Sequence, residues 1–97
     1  MDNVAQKRVE GRVAIVTGAA QGLGAAYAKA LGAEGAKVCV SDVLDAKPVA
    51  AEIGRAGGHA IAAHCDVTDP QSVQAMVAMT VKAFGSVDIL VTNAGLF

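Results

Sequence analysis

The stretch from Val13 to Gly24 constrains this chain more than any other. Val13-Ala14-Ile15-Val16 is a short, mostly β-branched apolar run and reads as a buried strand. Thr17-Gly18-Ala19-Ala20-Gln21-Gly22-Leu23-Gly24 follows, rich in glycine, and then Ala25-Ala26-Tyr27-Ala28-Lys29-Ala30-Leu31, rich in strong helix formers. A strand therefore runs through a glycine turn into a helix. The first turn of such a helix has unpaired backbone N–H groups and the positive end of the helix dipole. Glycines remove the Cβ atoms that would hold an anion away. The combination suits a diphosphate.

The rest of the chain repeats this unit. The first helix is expected from about Gly22 to Glu34, with Leu23, Ala26 or Tyr27, Ala30 and Leu31 facing inward. Gly35 follows as a left-handed cap. Lys37 to Ser41 reads as the second strand, with Asp42 at its C-terminal end. A second helix begins near Ala46 or Lys47, with Asp45 as N-cap and Pro48 in the first turn, and runs to Arg55. Val49 and Ile53 would face the sheet. His59 to Cys65 is a weaker third strand, because alanine is a poor strand former. Thr68 or Asp69 can cap a third helix from Pro70 to about Phe84, whose apolar stripe is Val73, Met76, Val77, Thr80 and Phe84; Gly85 stops it. Val87 to Thr92 is the fourth strand, and Asn93-Ala94-Gly95 a loop at its end.

Strand–helix repeated three times, then a strand, with short links, predicts an α/β fold: a partial Rossmann-type parallel sheet with helices on both faces. Right-handed crossovers set the strand order 3-2-1-4. The order reverses between strands 1 and 4, and ligands bind beyond the strand ends at such a switch point. The glycine turn and Asn93-Ala94-Gly95 both fall there. Strand 4 would be an inner strand, so its outer edge is apolar and unpaired within this stretch. The chain by itself is expected to be marginally stable and to associate.

Composition excludes several classes. With 97 residues the chain forms one small domain, or the N-terminal part of a single dinucleotide-binding domain. Apolar residues make up 54% and aromatics 3%, so the core is aliphatic and alanine-rich. A net charge of -1 offers nothing to nucleic acid or an anionic membrane. Met1 to Arg12 lacks the apolar core of a signal peptide, Met1 to Glu10 reads as a mobile arm, and no run approaches a membrane span. A cytoplasmic protein is the expectation. Cys39 and Cys65 sit in apolar strand-like runs and read as buried thiols. His64-Cys65-Asp66 offers three metal ligands in a row, but neighbours on a strand point to opposite faces, so no metal site is expected. His59 and His64 are single histidines at strand positions, and Tyr27 is a packing residue on the first helix.

Three acceptors join the glycine turn. Asp42 stands 20 positions after Gly22 at a strand end, where a carboxylate accepts both hydroxyl protons of an adenosine ribose and repels a 2′-phosphate. No Arg or Lys adjoins it, which favours NAD over NADP. Asp66 ends strand 3, where it could take the adenine amino group while the Val67 N–H meets a ring nitrogen; an ordinary Asx turn is the alternative. Asn93 combines a backbone-bridging role with a place beside the cofactor. The turn lacks the lysine of a P-loop, which excludes that form of nucleotide hydrolysis.

Together, Thr17-Gly18-x-x-x-Gly22-x-Gly24, Asp42, Asp66-Val67 and Asn93-Ala94-Gly95 closely resemble the short-chain dehydrogenase/reductase family. Thr92 stands where that family most often has a first Asn. The resemblance implies cofactor contacts from Gly18, Gln21, Gly22, Leu23 and Gly24 in the turn, from Asp42 to the ribose, from Asp66 and Val67 to the adenine, and from Asn93, Ala94 and Gly95 near strands 1 and 4. It implies hydride transfer between NAD(H) and a secondary alcohol or ketone, and a homo-oligomer for the complete protein. The family's catalytic Ser, Tyr-x-x-x-Lys and Asn belong beyond Phe97; Tyr27 has Leu31 four places on and does not match. No catalytic residue is therefore assigned here, and the chain alone is expected to be inactive. The alternatives are a non-catalytic, truncated nucleotide-binding or pairing module, and a methyltransferase, which the three-residue gap between Gly18 and Gly22 fits poorly.

Overall fold

Four consecutive buried side chains make β1 (Val13–Val16) the centre of the molecule. In the computed structural model, which describes residues 9–93, β1 pairs in parallel with β2 (Lys37–Asp42) on one side and β4 (Ile89–Val91) on the other. β3 (His59–His64) pairs in parallel with β2, from Lys37 beside His59 to Asp42 beside His64. The strand order is β3-β2-β1-β4, as the sequence predicts. β4 is shorter than the expected Val87–Thr92. The expected mobile arm falls mostly on residues outside those described. Its last part is held: Val9 packs on the core, its carbonyl accepts from the Arg12 N–H, and Gly11 N–H donates to Gly35 O at 3.0 Å.

Three helices cover the sheet: α1 (Gly22–Ala33), α2 (Lys47–Arg55) and α3 (Pro70–Phe84). The steps from β1 to β2 and from β2 to β3 move the same way across the sheet, so right-handed crossovers put α1 and α2 on one face. The step from β3 to β4 returns past β2 and β1, which puts α3 on the other. The alternation along β2 matches. Val38 and Val40 pack with Ala25, Ala28, Val49 and Ile53. Cys39, Ile15, Ala63 and Cys65 pack with Met76 of α3. Each fully buried Val or Ile contributes about 1.5–3 kcal/mol from leaving water.

Of the expected inward face of α1, only Leu31 meets the core. Gly24, Ala25, Ala28 and Gly32 are buried, Leu31 is half-buried, and Leu23 and Tyr27 are 60% and 44% exposed. The helix lies close to the sheet, and only small residues fit between them. Alanine on every side of α1 leaves little contrast between its faces, so the larger apolar residues misdirect the reading. At α2 the N-cap position belongs to Ala46 rather than Asp45, although Asp45 Oδ1 still accepts from the Lys47 N–H at 3.0 Å. Val49 and Ile53 do face inward. At α3, Asp69 is the N-cap and accepts from the Gln71 N–H, Pro70 opens the helix, and Gly85 ends it with φ 93°. Met76 and Thr80 are its buried residues, while Val77 is exposed. No helix among the described residues is long and apolar enough to cross a membrane.

Candidate functional site

The glycine turn leaves β1 at Thr17, whose N–H donates to Val91 O of β4 at 3.0 Å. Gly18 then turns with φ 62° and Gly22 with φ 61°, a region of backbone space that side chains disfavour. Between them the chain is tethered to β2: Ala19 N–H donates to Ser41 O at 3.0 Å and Ala20 N–H to Asp42 Oδ2 at 2.9 Å. Gln21 is extended and begins the helix without a side-chain cap. Gly24 serves a different purpose. A Cβ there would collide with the Gly18 carbonyl, so the first turn of α1 lies directly against the turn that precedes it.

This helix end differs chemically from the other two. At α2 and α3 an aspartate takes an N–H of the first turn. The α1 end has no such side-chain acceptor, and Gln21, Gly22 and Leu23 are exposed. N–H groups at the positive end of a helix dipole suit an anion, and no carboxylate competes in that turn. The residues therefore fit the diphosphate of a dinucleotide.

Asp42 is almost buried, at 9% exposure, and both its oxygens are occupied. Oδ1 accepts from the Leu44 N–H at 3.0 Å and Oδ2 from the Ala20 N–H at 2.9 Å. A carboxylate has about four acceptor sites in all, so capacity remains for ribose hydroxyls. Asp66 is tied to this strand end, because the N–H of Cys65 donates to the Asp42 carbonyl at 3.0 Å. Asp66 itself makes the Asx turn weighed as the plainer alternative. Its Oδ1 accepts from the Thr68 hydroxyl at 2.7 Å and the Thr68 N–H at 2.9 Å. The hydroxyl first, then that N–H, hold the Asp66 carboxyl below its ordinary value, with His64 adding a smaller pull against slight burial. Oδ2 has no hydrogen bond among the described residues, so the turn leaves an acceptor for an adenine amino group. Val67 is 38% exposed.

Asn93 closes the site from β4. Its N–H donates to Thr17 Oγ1 at 3.0 Å, and its side-chain Nδ2 donates to Gly18 O at 3.2 Å. Ala94 and Gly95 lie outside the described residues. Gly18, Gly24 and Asn93 are thus in mutual contact, and Asp42 joins them through Ala20. Gln21 and Leu23 stand at the open surface. Sequence reading missed Thr17 as the hydroxyl that receives Asn93, and Asp88, whose Oδ2 accepts from the Val13 N–H at 2.9 Å and anchors the start of β1. A hydroxyl ending one strand opposite an amide ending its neighbour was the available signal for Thr17. Among the described residues, no three His, Cys, Asp or Glu side chains are grouped to hold a metal ion.

The family model of the short chain dehydrogenases matches residues 12–97. The chain belongs to the short-chain dehydrogenase family. This short-chain dehydrogenase chain is 47% identical over 91 residues to 2,5-dichloro-2,5-cyclohexadiene-1,4-diol dehydrogenase LinX of Sphingobium indicum, covering 92% of this chain and 36% of the relative. It is 45% identical to (+)-borneol dehydrogenase 1 of Salvia officinalis, covering 93% and 34%. It is 46% identical to a 3-alpha-(or 20-beta)-hydroxysteroid dehydrogenase of Mycobacterium tuberculosis, covering 92% and 34%. The crystal structure of an Escherichia coli hydroxysteroid dehydrogenase superposes with a TM-score of 0.91 at 41% identity, covering 97% of this chain and 41% of that one. The chain spans about a third of the length of the curated relatives it matches.

Proposed function

We propose that the chain is the NAD-binding portion of an oxidoreductase that moves hydride between NAD(H) and a secondary alcohol or its ketone. The observation that carries this is the uncapped N-terminus of α1, fastened to β2 and β4 beside the carboxylate of Asp42. Backbone N–H groups of Gly18, Gln21, Gly22, Leu23 and Gly24 would hold the diphosphate, those of Ala19 and Ala20 being given to β2. Asp42 would hold the ribose hydroxyls, Asp66 and Val67 the adenine, and Asn93, Ala94 and Gly95 the adjoining wall. The bound nicotinamide supplies the hydride acceptor or donor. Asp42 disfavours a 2′-phosphate by charge, and Val43 and Leu44 beside it bring no cation.

The named relatives act on a cyclohexadienediol, borneol and hydroxysteroids, which supports an alicyclic secondary alcohol as the substrate class. Proton transfer is assigned to no residue of this chain; Tyr27 lies exposed on α1. Cytoplasmic reducing conditions agree with the free, buried Cys39 and Cys65. The complete protein is read as a homo-oligomer.

Calorimetric titration with NAD and NADP tests the cofactor. Asp42→Ala should weaken NAD binding more than NADP binding. Equal losses would show that Asp42 does not read the ribose. Reduction of NAD with an alicyclic alcohol, followed by absorbance on the protein as its gene encodes it, tests the reaction.

A further inference from the structure

Asp42 has a second task that its place at the strand end does not reveal. We propose that the Asp42 carboxylate is the strut that holds the glycine turn in its diphosphate-receiving shape, independently of any contact with ribose. The inference rests on the nucleotide-binding reading above and goes further into that site.

The turn from Gly18 to Gly22 has left-handed glycines at both ends, so its own backbone chemistry leaves it free to swing. Its shape must come from tethers. On the β4 side the tether is the Asn93 amide on the Gly18 carbonyl. On the β2 side there are two, the Ser41 carbonyl under Ala19 and the Asp42 carboxylate under Ala20. The carboxylate is the stronger acceptor, because a charged partner strengthens the bond. It also reaches furthest along the turn, to the residue just before the exposed Gln21.

The other oxygen does the same for the opposite loop. Leu44 N–H donates to Oδ1, which fixes the chain as it leaves β2 toward α2. Asp42 therefore joins two loops at one end of the sheet. At 9% exposure its charge has little water and needs these donors. A carboxylate near an anion site would oppose the anion if it stood unpaired. Its two N–H partners offset part of that charge without removing it, and the carboxylate fixes the backbone that presents the α1 amides. Removing it leaves the N–H groups of Ala20 and Leu44 without their acceptor, and the turn loosens before any nucleotide arrives.

Two nucleotides separate the strut from ribose reading: ADP and 2′,3′-dideoxy-ADP, which lacks the hydroxyls. Both are titrated by calorimetry into the wild-type protein, as its gene encodes it, and into Asp42→Ala. The strut predicts that Asp42→Ala loses about tenfold or more in affinity for dideoxy-ADP as well as for ADP. Unchanged affinity for dideoxy-ADP overturns it, leaving ribose contact as the whole role. A second measurement needs no ligand. Hydrogen exchange in the segment from Thr17 to Leu23 should accelerate about tenfold in Asp42→Ala, with exchange in β1 and α3 unchanged. Unaltered exchange in that segment, or equal acceleration everywhere, overturns the strut. Asp42→Asn keeps one acceptor oxygen and should give an intermediate result in both measurements; it carries the test if the alanine variant does not fold. A wild-type protein that binds neither nucleotide defeats the nucleotide reading, while the exchange measurement still decides the strut.

Discussion

The side-chain amide of Asn93 donates to the carbonyl of Gly18 at 3.2 Å, joining residues 75 positions apart. The same carbonyl is the atom that forbids a side chain at Gly24. One backbone oxygen thus sets the distance between the glycine turn, the start of α1 and the end of β4. These three residues fix the β4 side of the turn, as Ser41 and Asp42 fix its β2 side.

Asn93→Ala should lower stability by about 1 kcal/mol, the usual net value of one such bond, with a larger loss if the Gly18 carbonyl stays dry. Urea denaturation of the variant and the wild type measures this. A midpoint unchanged from wild type would show that water replaces the amide without cost.

The glycines of the turn should differ in their tolerance. A Cβ on Gly24 meets backbone, which cannot swing away, so Gly24→Ala should cost about 3 kcal/mol. A Cβ on Gly22 meets nothing within 4 Å and suffers only from its φ of 61°, so Gly22→Ala should cost about 1–2 kcal/mol. Thermal unfolding of both variants tests the order, and a reversal would contradict the close approach of Gly24 and Gly18.

Asp66 makes a contribution that depends on pH. Its carboxyl is held below its ordinary value of 3.8 by the Thr68 hydroxyl and N–H. A lowered folded-state value means that the stabilisation is complete above the ordinary range and is lost as the pH falls through the lowered value. Thr68→Val removes the hydroxyl and keeps the N–H, so the carboxyl should move partway back up. Carboxyl titration by NMR reads this directly; an unmoved titration would mean that the N–H alone holds the group.

Cys39 should be chemically silent. Burial pushes its thiol up, Thr80 pulls it down by a smaller amount, and Cys65 nearby pushes it up slightly. The thiolate is the reactive form, so a disulfide reagent should label Cys39 only as the sheet opens. The labelling rate should rise with added urea in step with unfolding. Rapid labelling of the folded protein would contradict the packing of β2 under α3.

Much of this architecture is legible in local chemistry. Asp69-Pro70 and Gly85 bound α3 because capping and left-handed geometry are properties of single residues. The strand order follows from short links and the handedness of crossovers. The grouping of Gly18, Asp42 and Asn93 follows from that order, since each ends or follows a neighbouring strand. α1 was misread because a face is a relation between two surfaces. Leu23 and Tyr27 are its larger apolar residues, yet only Gly24, Ala25, Ala28 and Gly32 are small enough to meet the sheet.

By itself, the sequence determined the succession of strands and helices, the parallel sheet and the family. These depend on residue type, spacing and chirality, which act locally or through topology. Only the tertiary structure decided which side of α1 is buried, that Thr17 receives Asn93, and that both oxygens of Asp42 are spent on backbone N–H groups. Those depend on distances between strands and turns far apart in the chain. A hydrogen bond of about 3 Å cannot be read from spacing, because it exists only once packing has set both partners in place.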